Sequence, residues 1–340
     1  MNALIRQALE LALERRDVSA DVMEQAIGAL MDGQCEPVEI AALLTALRTK
    51  GESVDEIVGA ARAMRRRVTR IPTARRGLLD TCGTGGDQTH TFNISTATAL
   101  VVAAAGVPVA KHGNRSVSSS SGSADVLEAL GVNVQLGPEQ VAGCLDQVGI
   151  GFCFAPLLHS AMKHAAPVRR QLGFRTIFNL LGPLTNPAGA EFQLLGANRY
   201  QTAGKLARAL SQLGCRHALV VCCDDGLDEV GLWGRTAVFA VAGDRVNEIV
   251  WTADSFGLPE CRLEDLQVRT ASESAEVIRR VLAGQSGPER NIILANAAAA
   301  LIAAQRETEP TRAVRVAAEA IDSGRAREML RRLVDFTTED

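Results

Sequence analysis

Between Leu78 and Ser123 the chain reads LLDTCGTGGDQTHTFNISTATALVVAAAGVPVAKHGNRSVSSSSGS, and no other stretch limits the fold so tightly. Leu78–Thr81 is a short apolar run bounded by glycine, the pattern of a buried strand end. Gly83, Gly85 and Gly86 follow, and glycines there let the backbone turn sharply and bring N–H groups close to a ligand. Asn93, Ser95 and Thr96 suit the start of the apolar run Ala97–Ala105, which is long enough for a buried helix whose free N–H groups bind anions. Strand, glycine turn and helix N-terminus form the phosphate-binding layout of α/β folds. A second loop, Lys111-His112-Gly113-Asn114-Arg115, adds two fixed positive charges, and Ser116 and Ser118–Ser121 add hydroxyls. Together these devices imply a ligand with more than one phosphate group. Taken singly, GTGGD is also an ordinary strand-to-helix turn and a serine run also an ordinary flexible loop. Neither GxxxxGK[ST] nor a Rossmann GxGxxG with its acidic partner is present.

Around this segment the pattern changes twice. Residues 2–66 read as successive amphipathic helices with Ser19 and Ser53 as N-caps and no strand signal. From Leu78 onward short apolar runs alternate with helices, as βαβ units on a largely parallel sheet require. The expected strands are Leu78–Thr81, Val107–Ala110, Val132–Gln135, Gln193–Gly196 and Ala218–Cys222, with Thr236–Ala240 and Val246–Trp251 as a hairpin. Helices return from about 273 to 335. The basic run Arg62, Arg65, Arg66, Arg67, Arg70 reads as a solvated helix end.

Composition excludes several classes. A net charge of −3 and a pI near 6.0 argue against bulk binding to nucleic acid or to a membrane. At 4% aromatic residues, a base-stacking platform is not expected. The longest apolar run, Ala97–Val107, is too short to span a bilayer, and the N-terminus lacks a signal-peptide pattern. The eight cysteines form no CxxC pair and read as reduced, buried small residues of a cytoplasmic protein.

Two further blocks carry chemistry. Residues 156–189 interrupt the strand–helix order with a polar, Pro-containing helical insert that brings His159, Lys163, His164, Arg169, Arg170 and Arg175 near one another. Such a density either binds an anion or is a solvent-facing basic helix. The third block, Asp224-Asp225-Gly226-Leu227-Asp228-Glu229, follows the apolar strand Ala218–Val221. Ligand sites of parallel sheets lie at the carboxyl ends of strands. An all-oxygen donor set there suits Mg2+ bridging carboxylates to substrate phosphates, or else is an acidic surface turn.

With these residues in view, the chain resembles the anthranilate phosphoribosyltransferase family nearly end to end, through GTGGD, NIST, KHGNR, VRRQLGFRTIFNLLGPLTNP, LDE, GPERNIILANAAAAL and AIDSGRA. The resemblance implies the nucleoside phosphorylase / phosphoribosyltransferase type of α/β fold. A small all-helical domain (1–70, completed by the 156–189 insert) would stand beside a larger α/β domain with a mainly parallel central sheet (71–155 and 190–340). The active site would lie in the interdomain cleft, and the protein would be a homodimer joined through the helical domains. It implies transfer of phosphoribosyl from phosphoribosyl pyrophosphate to the amine of anthranilate, the second step of tryptophan biosynthesis. Any anthranilate synthase partner would be a separate chain.

By resemblance, Gly83 would touch the aromatic substrate, and Gly86, Asp87, Thr91, Asn93, Ile94, Ser95 and Thr96 would line phosphoribosyl pyrophosphate. Lys111, His112, Gly113, Asn114, Arg115, Ser116, Val117, Ser118 and Ser119 would form the second phosphate loop, followed by Ser123. Asn114 and Arg169 would hold anthranilate, the planar guanidinium matching a carboxylate. Ser95, Asp228 and Glu229 would bind Mg2+, and Lys111, Arg115, Asp228 and Glu229 would carry catalysis by stabilising the pyrophosphate leaving group. Two positions depart from the family pattern. Ser120 replaces a common lysine, and Gly231 a common serine. Two other readings stay open: a pyrimidine nucleoside phosphorylase, against which KHGNR and VRRQLG argue, and a non-catalytic nucleic-acid-binding homologue, against which the intact Asp228-Glu229 pair and the acidic pI argue.

Overall fold

A computed structural model describes residues 1–115 and 122–339. The N-terminal region forms α1 (Ala3–Leu13), α2 (Ala20–Met31), α3 (Pro37–Lys50) and α4 (Val54–Arg67). Ser19 caps α2, and Ser53 with Glu56 makes a capping box at α4. Glu56 is fully buried, yet its carboxylate accepts from the Val18 and Ser53 amides and pairs with Lys50 Nζ at 3.2 Å. That satisfies a charge which would otherwise be costly to bury. The basic end of α4 is less solvated than its sequence suggests. Arg66 and Arg67 pair with Glu24 and Asp32. Arg65 instead turns inward and donates to the Leu184 and Leu213 carbonyls at 2.7 and 3.0 Å, tying α4 to the end of the insert and to the helix Tyr200–Gln212.

The described residues form a seven-stranded sheet of β1 (Leu79–Gly83), β2 (Val109–Gly113), β3 (Ile150–Phe154), β4 (Phe192–Gly196), β5 (His217–Cys223), β6 (Thr236–Ala242) and β7 (Arg245–Trp251). Its order is β3-β2-β1-β4-β5-β6-β7, parallel through β5 and closed by the antiparallel β6–β7 hairpin. One expected strand is absent and one was not foreseen. Val132–Gln135 alternates in burial as a strand would, but pairs with no strand among the described residues. Its Asn133 amide donates to Thr337 Oγ1 of the C-terminal helix instead. The alternation there records one face packed on helix, not a ladder. The missing strand is β3, whose Gly151 weakens the strand signal. The Cβ that Gly151 lacks would sit 3.0 Å from Leu145 Cγ, because the helix Pro138–Gln147 packs tightly against it.

The parallel strands β1–β5 are covered on both faces, so β3, β4 and β5 read as nearly continuous apolar runs, whereas β7 is largely exposed. Successive residues alternate between two cores: Leu194, Leu219 and Val221 join α5 (Ile94–Ala104) and the C-terminal helices, while Leu195 and Val220 join the core of α1–α4. Each fully buried Leu or Ile in these cores contributes roughly 1.5–3 kcal/mol. Val168, Ile177, Phe178 and Leu181 of the insert belong to the second core, so the insert packs with the N-terminal helices. After β1 the chain runs to β2 and β3 on one side, then returns to place β4 on the other. The crevice at the carboxyl ends of β1 and β4 is therefore the topological switch point, where open α/β sheets bind ligands.

Candidate functional site

The glycine loop leaves β1 at this switch point and is tied down residue by residue. The Thr84 amide donates to Gly196 O at 2.9 Å, and the Gly85 amide to Asp228 Oδ2 at 2.8 Å. From the insert, Arg175 donates to the Thr84 and Gly85 carbonyls at 2.8 and 2.5 Å, and Asn198 Nδ2 donates to Gly86 O at 3.0 Å. Gly85 and Gly86 have φ of +62° and +73°, which glycine adopts without strain. A side chain at Gly86 would also meet Arg175 Nη1 at 1.9 Å. Beyond them Gln88 and His90 hold φ of +60° and +57°, a conformation non-glycine residues seldom keep unless their surroundings impose it. Here Asp87 accepts from Thr89 Oγ1, Gln267 Nε2 donates to Thr89 O, and Thr91 bridges Gln267.

Asn93 caps α5, its side chain accepting from the Thr96 amide, and its own amide donates to Ser274 Oγ. Ile94, Ser95 and Thr96 form the first turn, with the Ile94 amide donating to Phe92 O at 2.8 Å and Ile94 and Thr96 buried, so this turn presents its positive dipole end and the Ser95 hydroxyl to the crevice. Lys111 lies beneath this turn, 3% exposed, with Nζ 2.6 Å from Thr81 O and 3.2 Å from Ser95 Oγ. Burial lowers its pKa. Its charge therefore reaches the site through Ser95 and through space. Behind it, the fully buried Asp80 accepts from the His112 amide and from Asn186 Nδ2, joining β1, β2 and the end of the insert.

Asp228 and Glu229 meet Asp87 at the same crevice. Asp228 is pushed up to about 7, first by removal from water and then by the Asp87 charge beside it. Glu229 is also raised, by burial and by Asp228, although the Ser95 amide donates to it. Among the described residues no group of three His, Cys, Asp or Glu side chains is arranged to hold an ion alone. Two carboxylates and the Ser95 hydroxyl are the donor set Mg2+ uses when substrate phosphates complete its shell, and crowded like charges fit a cation between them. The rest of the acidic block is elsewhere: Asp225 accepts from Trp233 Nε1 and Asp224 from the Arg235 amide, so both close an exposed turn. The fully buried Asn296 fixes the adjoining backbone, accepting from the Val230 amide and donating to its carbonyl.

His112 Nδ1 lies 3.0 Å from Gly182 O and must donate to it, since a carbonyl only accepts. His112 Nε2 then accepts from His159 Nε2 at 3.1 Å, which leaves His159 Nδ1 a buried acceptor with no partner among the described residues. Burial holds the two down to about 3 and about 4, so both rings are neutral. His159 thus adds no charge to the insert's basic density. Arg169 stacks over Phe178 at 5.4 Å and has no carboxylate partner among the described residues. Asn114 accepts from the Arg115 amide through Oδ1, which leaves its NH2 end to donate. Ser123 opens the helix Ser123–Ala129 and approaches Asn114 O, while Gly113 admits Ser123 Oγ and the Phe152 ring where a Cβ would stand. Arg115 points away from the crevice, bidentate on Glu128 and bonded to Asp125. Contact with a pyrophosphate would require it to leave those carboxylates. Ser116, Val117, Ser118, Ser119 and Ser120 lie outside the described residues. At Gly231 a side chain would come 2.6 Å from Cys223 Sγ, so glycine and Cys223 are complementary here.

The structure thus gathers Gly83, Gly86, Asp87, Ser95, Asp228 and Glu229 at one crevice, and adds Arg175, Asn198, Asp80 and Asn296, whose parts in it the sequence reading did not assign. Asn198 was legible in principle, two residues past the carboxyl end of an expected strand.

The comparisons agree with this geometry. Residues 6–68 match the helical bundle domain of a glycosyl transferase family, and residues 75–327 match its α/β domain. An anthranilate phosphoribosyltransferase of Pelobacter propionicus is 48% identical over 98% of this chain and 99% of its own. One from Symbiobacterium thermophilum is 50% identical over 99% and 98%. The crystal structure of the Thermus thermophilus enzyme superposes with a TM-score of 0.92 at 42% identity, covering 98% of this chain and 99% of that one. The Saccharomyces cerevisiae enzyme, in complex with PRPP and Mg, does so with a TM-score of 0.92 at 26% identity over 99% of both chains. With the helical bundle, the switch-point crevice and this likeness over almost the whole length, the chain belongs to the anthranilate phosphoribosyltransferase family.

Proposed function

We propose that the crevice binds phosphoribosyl pyrophosphate and anthranilate and joins them, giving N-(5-phosphoribosyl)anthranilate and pyrophosphate. The carrying observation is the meeting of the glycine loop, the α5 N-terminus and the Asp228-Glu229 pair at the β1/β4 switch point. The anthranilate amine is neutral at pH 7. Its nitrogen forms a bond to ribose C1 as the bond from C1 to pyrophosphate oxygen breaks, and it then loses a proton. No covalent enzyme nucleophile is needed. The difficulty is the charge of the leaving group, so catalysis rests on positioning and on fixed electrostatics.

The glycine loop and the positive end of the α5 dipole face the phosphates, and the buried Lys111 supplies positive potential from below. Arg169, free of a carboxylate partner among the described residues, takes the anthranilate carboxylate, with the Asn114 side-chain amide donating beside it. Asp228, Glu229 and Ser95 would hold Mg2+, which when bound neutralises pyrophosphate oxygens. We also infer a homodimer joined through the helical domains. Leu13 on α1 and Val38 on α3 are 68% and 74% exposed, large apolar side chains on adjacent helices. No helix of the described residues is long and apolar enough to cross a membrane, and a cytoplasmic location fits. The test is loss of anthranilate fluorescence on adding phosphoribosyl pyrophosphate. Magnesium-dependent loss with pyrophosphate released in step is expected; no loss from folded protein would refute the reaction.

A further inference from the structure

We propose that Arg175 is a positioning residue, through which the helical insert aims the phosphate-binding amides of the glycine loop. The inference rests on the reading of that loop as the phosphoribosyl pyrophosphate site. Its ground is peptide geometry. In a trans peptide the carbonyl of one residue and the N–H of the next point in opposite directions, and the described residues have no cis bonds. Arg175 Nη2 holds the Thr84 carbonyl, and the following amide, that of Gly85, points the other way, onto Asp228 Oδ2 at 2.8 Å. Arg175 Nη1 holds the Gly85 carbonyl at 2.5 Å, so the Gly86 amide must also face away from Arg175. Asn198 holds the Gly86 carbonyl and fixes the Asp87 amide in the same manner.

One guanidinium thus sets two successive peptide planes, a task its planar fork suits and an ammonium does not. Glycine alone would leave those planes free, since Gly85 and Gly86 both sit in backbone regions with low barriers to reorientation. Arg175 has no competing carboxylate hydrogen bond among the described residues, and Asp228 and Asp87 act on it only through space. It is half-buried, and a Cβ at Gly86 would overlap its Nη1, so the glycine and the arginine fit as a pair. Because Arg175 rides on the insert while the loop belongs to the sheet, the amides are aimed only when insert and sheet are closed on one another.

The test compares wild type, Arg175→Ala and Arg175→Lys in steady-state turnover and in calorimetric binding of phosphoribosyl pyrophosphate with Mg2+. A loop misplaced by about 1 Å costs on the order of 100-fold. Arg175→Ala is expected to weaken phosphoribosyl pyrophosphate binding and kcat/KM by about tenfold to 100-fold, with the KM for anthranilate within about threefold of wild type. Methylguanidinium added to Arg175→Ala is expected to restore part of the loss, and Arg175→Lys to recover less than added guanidinium does. Unchanged phosphoribosyl pyrophosphate binding, a loss carried by the anthranilate KM, or a loss that guanidinium does not touch would overturn the assignment. Wild-type turnover in the same assay tests the reaction itself. Should that fail, the calorimetric comparison still decides the role of Arg175, and should Arg175→Ala not fold, Arg175→Lys, expected to weaken the same binding, decides it.

Discussion

Replacing Gly196 with alanine adds one methyl group where the structure has no room for it. The new Cβ would stand 1.6 Å from the Asp228 carbonyl oxygen and 2.4 Å from its carbonyl carbon. Both are backbone atoms, so no side-chain rotation relieves the overlap. To restore an ordinary contact, one segment must retreat by about 1.5 Å or more. Gly196 is paired on both sides, with Gly83 of β1 and Val221 of β5, so the strand resists and the Asp228 turn moves. That turn carries the carboxylate that holds the Gly85 amide. Overpacking costs about 1–3 kcal/mol in stability, a few degrees in Tm. Displacing Asp228 by about 1 Å should cost kcat/KM about 100-fold or more. Gly204→Ala is the contrast: its Cβ would lie 3.5 Å from Phe239 Cε1, an ordinary contact inside the helix Tyr200–Gln212. It should keep full activity and gain roughly 0.5–1 kcal/mol from helix propensity. Fluorescence turnover and thermal unfolding of the two variants are the assay. Activity of Gly196→Ala within about threefold of wild type would refute the argument that this close approach sets the Asp228 position.

Other expectations are as specific. Arg169→Ala should raise the KM for anthranilate by about tenfold or more while leaving phosphoribosyl pyrophosphate binding nearly intact, since a charge-assisted hydrogen bond contributes about 1.5–3 kcal/mol; equal effects on both substrates would dismiss the assignment. Asp228→Asn with Glu229→Gln should abolish the response of turnover to added Mg2+ while anthranilate binding, followed by fluorescence, persists. The His112 and His159 pKa values, lowered by burial from 6.5 to about 3 and about 4, mean that the unfolded chain binds more protons than the folded one in that interval. Stability should therefore be fully present above about pH 6.5 and decline as pH falls toward 4, and in urea unfolding at graded pH His159→Asn should flatten that decline. An unchanged slope would show that this pair does not govern the acid limb.

Much of the fold was legible because local chemistry and tertiary demand agreed. Ser19 and Ser53 cap helices as their positions suggested, and the apolar run after Asn93 became a helix buried almost all round. Where they disagreed, the sequence misled for identifiable reasons. Val132–Gln135 has strand alternation because one of its faces is buried, but the surface it meets is a helix. Ile150–Phe154 is a strand despite its glycine, which serves a close helix contact. Arg65 and Arg66 are neighbours in one basic run, and only the approach of Leu184 and Leu213 draws Arg65 inward.

By itself the sequence determined the local devices that the proposed phosphate site uses: glycines where a chain must turn, an Asn cap before an apolar helix, and an acidic pair after a buried strand. These are local properties, dictated by residue type and spacing. Tertiary structure alone decided which of the charges act there. Asp224 and Asp228 are four residues apart, yet one closes a surface turn and the other holds the glycine loop. Arg115 is spent on Glu128 and Asp125, while Arg175, a site residue only through a contact 90 positions away in sequence, aims the loop. Coulomb forces and hydrogen bonds act over a few ångströms in space, and separation along the chain says nothing about that distance until the sheet and the insert have closed on each other.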